Sequence, residues 1–227
     1  MIDSGDPLVR DRTDQRGVSG ISNAGGVATF LSEDPPYVHT ITTEADGATS
    51  VIAADLDGDG DMDMISRTGN QSSIVWYEND GSETFTTHTI AEEADGATSV
   101  IVADVDGDGD VDVLSASAGD AQPSRIAWYE NDGSGETFTS HTITTDVDQA
   151  QSVFAADVDG DGDVDVLSAS VYDNKIAWYE NDGSETFTSH VISTSASGAR
   201  SVFAADVDGD GDTDVLSASS YDYKIAW

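Results

Sequence analysis

The chain contains no cysteine among its 227 residues, so neither a disulfide framework nor a thiolate metal centre exists, and redox chemistry does not fix its compartment. Positive charge is also scarce. Eight Lys and Arg stand against 45 Asp and Glu, a formal net charge of −37. A polyanion of this strength repels nucleic acid and anionic lipid surfaces, which excludes both as partners. No apolar run approaches the roughly 18 residues of a membrane helix, so no membrane insertion is expected. The opening MIDSGDPLVR lacks the basic-then-apolar order of a secretory leader, so an exported protein would carry its signal outside this sequence. No window carries a helical period. Disorder does not follow from the charge, because hydrophobic residues make up 37% and arrive in short β-type runs.

What is present is a repeat. The string ADLDGDGDMDMIS from Ala54 returns as ADVDGDGDVDVLS from Ala103 and Ala156, and with one change from Ala205. The leading aspartates Asp55, Asp104, Asp157 and Asp206 are 49, 53 and 49 residues apart. The longer interval is explained by a GDAQPSR turn between Ala118 and Ile126 and by an extra Gly135, both in turns, where insertions are tolerated.

Each unit reads as four short strands: SVIAAD or its variants at Ser50, Ser99, Ser152 and Ser201; then DVLSAS-type strands at Asp112, Asp165 and Asp214. The third, IVWYE or IAWYE, carries Trp76, Trp128, Trp178 and Trp227. An NDGS turn at Asn79, Asn131 and Asn181 leads into TFTTHTI or TFTSHVI. Four antiparallel strands in about 50 residues predict an all-β fold made of β-propeller blades. A parallel β-helix is the runner-up, with rungs too short to need the NDG hairpin. Ala53, Ala54, Ala155 and Ala156 suit a crowded innermost strand, while Trp and Phe suit the wider interface between blades. The expected organisation is an unassigned segment 1–25, a partial blade 26–47 with degenerate third and fourth strands, blades 48–96, 97–149 and 150–198, and a partial blade 199–227. Ending inside a strand at Trp227, the chain reads as a fragment of a longer propeller. Closure as four blades, completed by Tyr37–Ile41, is the alternative.

The linker between first and second strands is the chemical signal. It presents Asp55, Asp57, Asp59, Asp61 and Asp63; Asp104, Asp106, Asp108, Asp110 and Asp112; Asp157, Asp159, Asp161, Asp163 and Asp165; and Asp206, Asp208, Asp210, Asp212 and Asp214. Calcium takes six to eight oxygen ligands at ~2.3–2.6 Å in flexible geometry. Alternate aspartates supply them, and the intervening glycines let the backbone wrap. Carboxylates at loop positions 1, 3, 5 and 9 and the carbonyl at 7 would complete one shell, about one ion per loop and four in the chain. Two carboxylates ~5 Å apart repel by roughly 3 kcal/mol at an effective dielectric of ~20. Several such pairs per loop weigh heavily against an ordinary folding stability of ~5–15 kcal/mol, so an empty loop is disfavoured. An EF-hand is excluded: its twelfth position needs a bidentate Glu, and Ser66, Ser115, Ser168 and Ser217 stand there between strands, not helices. Carboxylate-only ligation disfavours zinc, and the open loop disfavours magnesium's octahedron.

The DVDGDGDVDVL core with the IAWYENDGS hairpin resembles the FG-GAP/VCBS repeat family, the blades also found in integrin α-subunits. The resemblance covers nearly everything from Gly26 onward. It implies a propeller of commonly seven blades, calcium between first and second strands, and an extracellular or cell-surface location. Family loops carry Asn or Asp at the third position; this chain has Asp in all four. The FG and GAP tripeptides are absent, which places it on the VCBS-like bacterial side.

Catalytic constellations are built once, and the reactive side chains here are repeated. His39, His88, His141 and His190 fill one slot of successive fourth strands, as packing or hydrogen-bonding residues would. No Ser-His-Asp set is gathered, and the acidic DGDG loop cannot cradle phosphate. The chain is therefore not expected to be an enzyme. Residues outside the repeat are the better ligand candidates: Arg10, Arg12 and Arg16 near the N-terminus, and Tyr172, Tyr221 and Tyr223 in second-to-third-strand turns. Arg125, Lys175 and Lys224 are expected to pair with nearby acids, and Asn70 opens a glycosylation sequon. Two functions fit. One is a calcium-binding adhesion or carbohydrate- or protein-binding module of a secreted or surface protein. The other is an accessory or catalytic propeller of a secreted polysaccharide-degrading enzyme.

Overall fold

The computed structural model describes residues 39–68, 73–92, 94, 96–119 and 123–227. The expectations for segment 1–25, for the degenerate strands up to residue 38, for Arg10, Arg12 and Arg16, and for the Asn70 sequon lie outside them. Two units divide at Thr40 and Ile41, and the fold belongs to the second. Its first sheet is β1 (Ser50–Ala54), β2 (Asp63–Thr68), β3 (Ser73–Asn79) and β4 (Phe85–Ala91), and its second β5 (Ala97–Ala103), β6 (Asp112–Ser117), β7 (Arg125–Asn131) and β8 (Phe138–Thr144). The third comprises β9 (Ala150–Ala156), β10 (Asp165–Ser170), β11 (Lys175–Asn181) and β12 (Phe187–Ser193). The fourth is the three-stranded β13 (Ala199–Ala205), β14 (Asp214–Ser219) and β15 (Lys224–Ala226). Every sheet is antiparallel with strands in chain order. The described residues contain no helix. The architecture is all-β, built of propeller blades.

Blades meet along their first strands, since β1 adjoins β5, β5 adjoins β9, and β9 adjoins β13. Thr98 Oγ1 crosses one seam to the Ala150 carbonyl at 2.7 Å. First strands of blades two to four begin two residues earlier than their SV-containing motif, through a bulge. The same hydroxyl lies 3.1 Å from the Ala116 carbonyl, so its single proton is shared between the two blades beside the irregular pairing.

The larger side chains lie between sheets. Trp76 packs in one core with Tyr129 and Phe138 of the next blade, and Trp128 likewise with Tyr179 and Phe187. Fourth strands are exposed or half-buried apart from Ile90 and carry Thr, Ser and His at the rim, so polar side chains guard the outer edge. The predicted NDG hairpins form with Gly81, Gly133 and Gly183 at positive φ, and Asp80 N–H closes the first onto the Thr84 carbonyl at 3.1 Å.

Candidate metal centre

The register pairs Ala54 with Asp63, Ala103 with Asp112, Ala156 with Asp165 and Ala205 with Asp214. Each aspartate loop is therefore a hairpin connection clamped where its two strands start. The glycines at loop positions 4 and 6 take φ between +73° and +101°, and an added Cβ would meet nothing within 4 Å. Left-handed backbone, not crowding, demands glycine there.

The loop aims its own amides at its carboxylates. In all four loops the position 6 N–H donates to position 1 Oδ2, at 3.0 to 3.1 Å. Position 5 N–H donates to position 3, and position 7 N–H to position 5. Such bonds fix carboxylate orientation while leaving other lone pairs free. The ligand oxygens of Asp55, Asp57 and Asp63 lie within 4.8 Å of one another, as do those of Asp104, Asp106 and Asp108, of Asp157, Asp159 and Asp165, and of Asp206, Asp208 and Asp210. The structure thus gathers positions 1 and 3 in every loop, position 9 in the first and third, and position 5 in the second and fourth. Asp61, Asp110, Asp163 and Asp212 stand outside these groups. The first three of them lie against the turn glycines Gly81, Gly133 and Gly183.

Position 9 is the buried end of the site. Asp63, Asp112 and Asp165 are 0% exposed. One oxygen of each accepts the position 2 N–H, and the other accepts the N–H of the third-strand asparagine at 2.8 Å. Burial pushes the Asp112 carboxyl up to about 7 against those two donors, and raises Asp165 in the same direction. Burial likewise raises Asp57 and Asp106, helped by neighbouring carboxylates. The Trp178 indole N–H faces Asp165 without closing a bond within hydrogen-bond distance. Asp55 Oδ1 is buried and has no hydrogen-bond partner. An orphaned carboxylate oxygen beside two further carboxylates fits a cation, and an all-oxygen donor set fits a hard one.

The histidines are accounted for by packing. His88, His141 and His190 stack on Trp76, Trp128 and Trp178 with ring centres 4.5 Å apart. Their Nε2 atoms pair with Glu78, Glu130 and Glu180 at 2.6 to 2.8 Å. The sequence did not single out these glutamates, although their place two residues after each Trp was visible. Lys175 is buried, bonded to the Asp146 carbonyl and paired with Asp146 and Asp173 at 3.2 and 3.3 Å; Lys224 pairs with Asp222 at 3.1 Å. Tyr172, Tyr221 and Tyr223 stand exposed on their turns.

Antiparallel blades that each carry an acidic, cation-competent hairpin between first and second strands define a β-propeller repeat protein. An FG-GAP-like repeat model matches residues 55–115, 105–168 and 157–217, well over half the sequence, and the chain belongs to that family. Each match runs from one aspartate loop to the second strand of the following blade. No curated protein matches. Among solved structures, the fold is shared with an Agrocybe aegerita lectin that specifically recognises non-reducing terminal N-acetylglucosamine. The TM-score is 0.58 at 20% identity over 88% of this chain. The chain spans 55% of that lectin's length.

Proposed function

We propose that this chain is a calcium-stabilised propeller module of a secreted or cell-surface protein, and that it binds a glycan or protein ligand rather than catalysing a reaction. One observation carries the calcium reading: carboxylates converge in all four loops, and in the first an oxygen of Asp55 is buried without a donor. Asp55, Asp57 and Asp63 would hold the ion in the first loop, Asp104, Asp106 and Asp108 in the second, Asp157, Asp159 and Asp165 in the third, and Asp206, Asp208 and Asp210 in the fourth. Calcium supplies two positive charges that turn mutual carboxylate repulsion into attraction. Binding in place of catalysis is supported by the engagement of His88, His141 and His190 in identical Trp–His–Glu stacks. A glycan is favoured by the fold shared with an N-acetylglucosamine-binding lectin. The exposed rings of Tyr172 and Tyr221 offer faces on which a sugar can stack.

Two measurements test this. Scanning calorimetry in calcium and in EDTA should separate the melting temperatures by many degrees, because an ion at 100 times its Kd contributes about 2.7 kcal/mol per site. Coincident transitions would reject the calcium reading. A glycan array run with and without EDTA should return calcium-dependent binding, lost in a Tyr172→Ala, Tyr221→Ala double variant; an array silent under both conditions would count against a glycan ligand.

A further inference from the structure

Two third-strand asparagines, Asn131 and Asn181, each touch two aspartate loops at once. Asn131 is 1% exposed. Its backbone N–H donates to Asp112 Oδ1 at 2.8 Å, and its Nδ2 to the Val111 carbonyl at 3.1 Å, both in its own blade's loop. The same Nδ2 reaches back to the Leu56 carbonyl in the preceding blade's loop, at 2.7 Å. Asn181, equally buried, repeats the pattern. Its N–H donates to Asp165 at 2.8 Å, and its Nδ2 to Val164 at 3.2 Å and, one blade back, to Val105 at 2.9 Å. Its side-chain oxygen, like that of Asn131, accepts a turn glycine N–H, so the amide cannot rotate without losing bonds on both sides.

The position 2 residues complete the connection. Leu56 and Val105 receive the asparagine on their carbonyls and donate their own N–H groups to Asp63 and Asp112, each at 2.9 Å. An unbroken series therefore runs from Asp63 through Leu56 and Asn131 to Asp112, then through Val105 and Asn181 to Asp165, where Val158 N–H also donates at 2.9 Å. Asn79 holds its own loop through Asp63 and Met62 but makes no bond to another loop among the described residues.

We infer that Asn131 and Asn181 are positioning residues that couple the cation sites of the first three blades, so that filling one loop raises the affinity of its neighbour. The physical reason is the shared rigid contact. A cation held by Asp55, Asp57 and Asp63 also fixes Leu56, whose N–H donates to Asp63 and whose carbonyl receives Asn131, and Asn131 in turn braces Asp112 and the second loop. A second ion entering that loop orders less than it would alone.

The inference rests on the cation reading, and the test separates the two. Calcium is titrated into the full chain while the amides of Gly60, Gly109, Gly162 and Gly211, one per loop, are followed by NMR. Asp57→Asn weakens the first loop. It should raise the calcium midpoint of the second loop by about fivefold or more. In an Asn131→Ala background the effect of Asp57→Asn on the second loop should vanish, whereas an Asn79→Ala background should retain it. Should Asn131→Ala fail to fold, Asn181→Ala reports the same link between the second and third loops. Four calcium-dependent shifts with midpoints indifferent to Asp57→Asn would overturn the coupling and leave the cation sites standing. No calcium-dependent shift in the unsubstituted chain would overturn both.

Discussion

Asp112 accepts two backbone N–H bonds and still keeps a carboxyl pushed up to about 7, because burial outweighs the donors. The folded value lies above the ordinary carboxylate value of about 3.9. Stability from this group is therefore fully present below about pH 4 and is lost as pH climbs through about 7. Without a cation, the folded chain binds the extra proton across that window, and its melting temperature should fall as pH rises. A cation held by Asp104, Asp106 and Asp108 favours the deprotonated form of the neighbouring Asp112, so in excess calcium the trend should reverse, with stability rising as the ion displaces the proton. Calorimetry across this pH range, once in chelator and once in calcium, gives the comparison. Parallel pH profiles would mean that Asp112 does not exchange a proton for an ion.

Strand order and loop position were legible in the sequence because every blade repeats the same alternation, and a repeated pattern fixes register several times over. The loop aspartates were legible for the same reason. What stayed hidden is how the elements touch each other. The short string around Asn131 announces a hairpin, but its reach to Leu56 lies 75 residues away. Gly135 is another case. In the sequence it is an extra turn residue; in the fold it sits at φ +67° where a Cβ would come within 2.5 Å of the Trp76 ring and 3.2 Å of the Asp57 Cβ. The hairpin of blade two therefore seals the tryptophan of blade one beneath it. Gly107→Ala, with open space around it, should lose about 1–2 kcal/mol for its left-handed backbone alone. Gly135→Ala should lose that and about 1–3 kcal/mol more from overpacking the seam. Urea unfolding in saturating calcium measures both, and equal losses would show that the seam yields.

For the whole molecule the question is whether −37 charges need ions bound in the loops or merely a saltier solvent. The two act over different distances. Raising ionic strength from about 0.1 to about 1 M shortens the screening length from about 10 to about 3 Å, which silences repulsion between loops of different blades. Three carboxylates in each loop are gathered inside 4.8 Å, and in the first three loops at least one of them is partly removed from water, where screening is weak. Salt can therefore relieve the long-range part of the self-repulsion and little of the local part, whereas calcium acts on the local part directly. In EDTA, added potassium chloride should raise the melting temperature modestly. At about 1 M it should still fall well short of the value reached with calcium at about 0.1 M. Salt should also weaken calcium's effect, since screening lowers the attraction of an acidic loop for a divalent ion. A chelated chain that regained its full melting temperature in salt alone would show that diffuse screening suffices, and that the twenty loop aspartates need no ion at their focus.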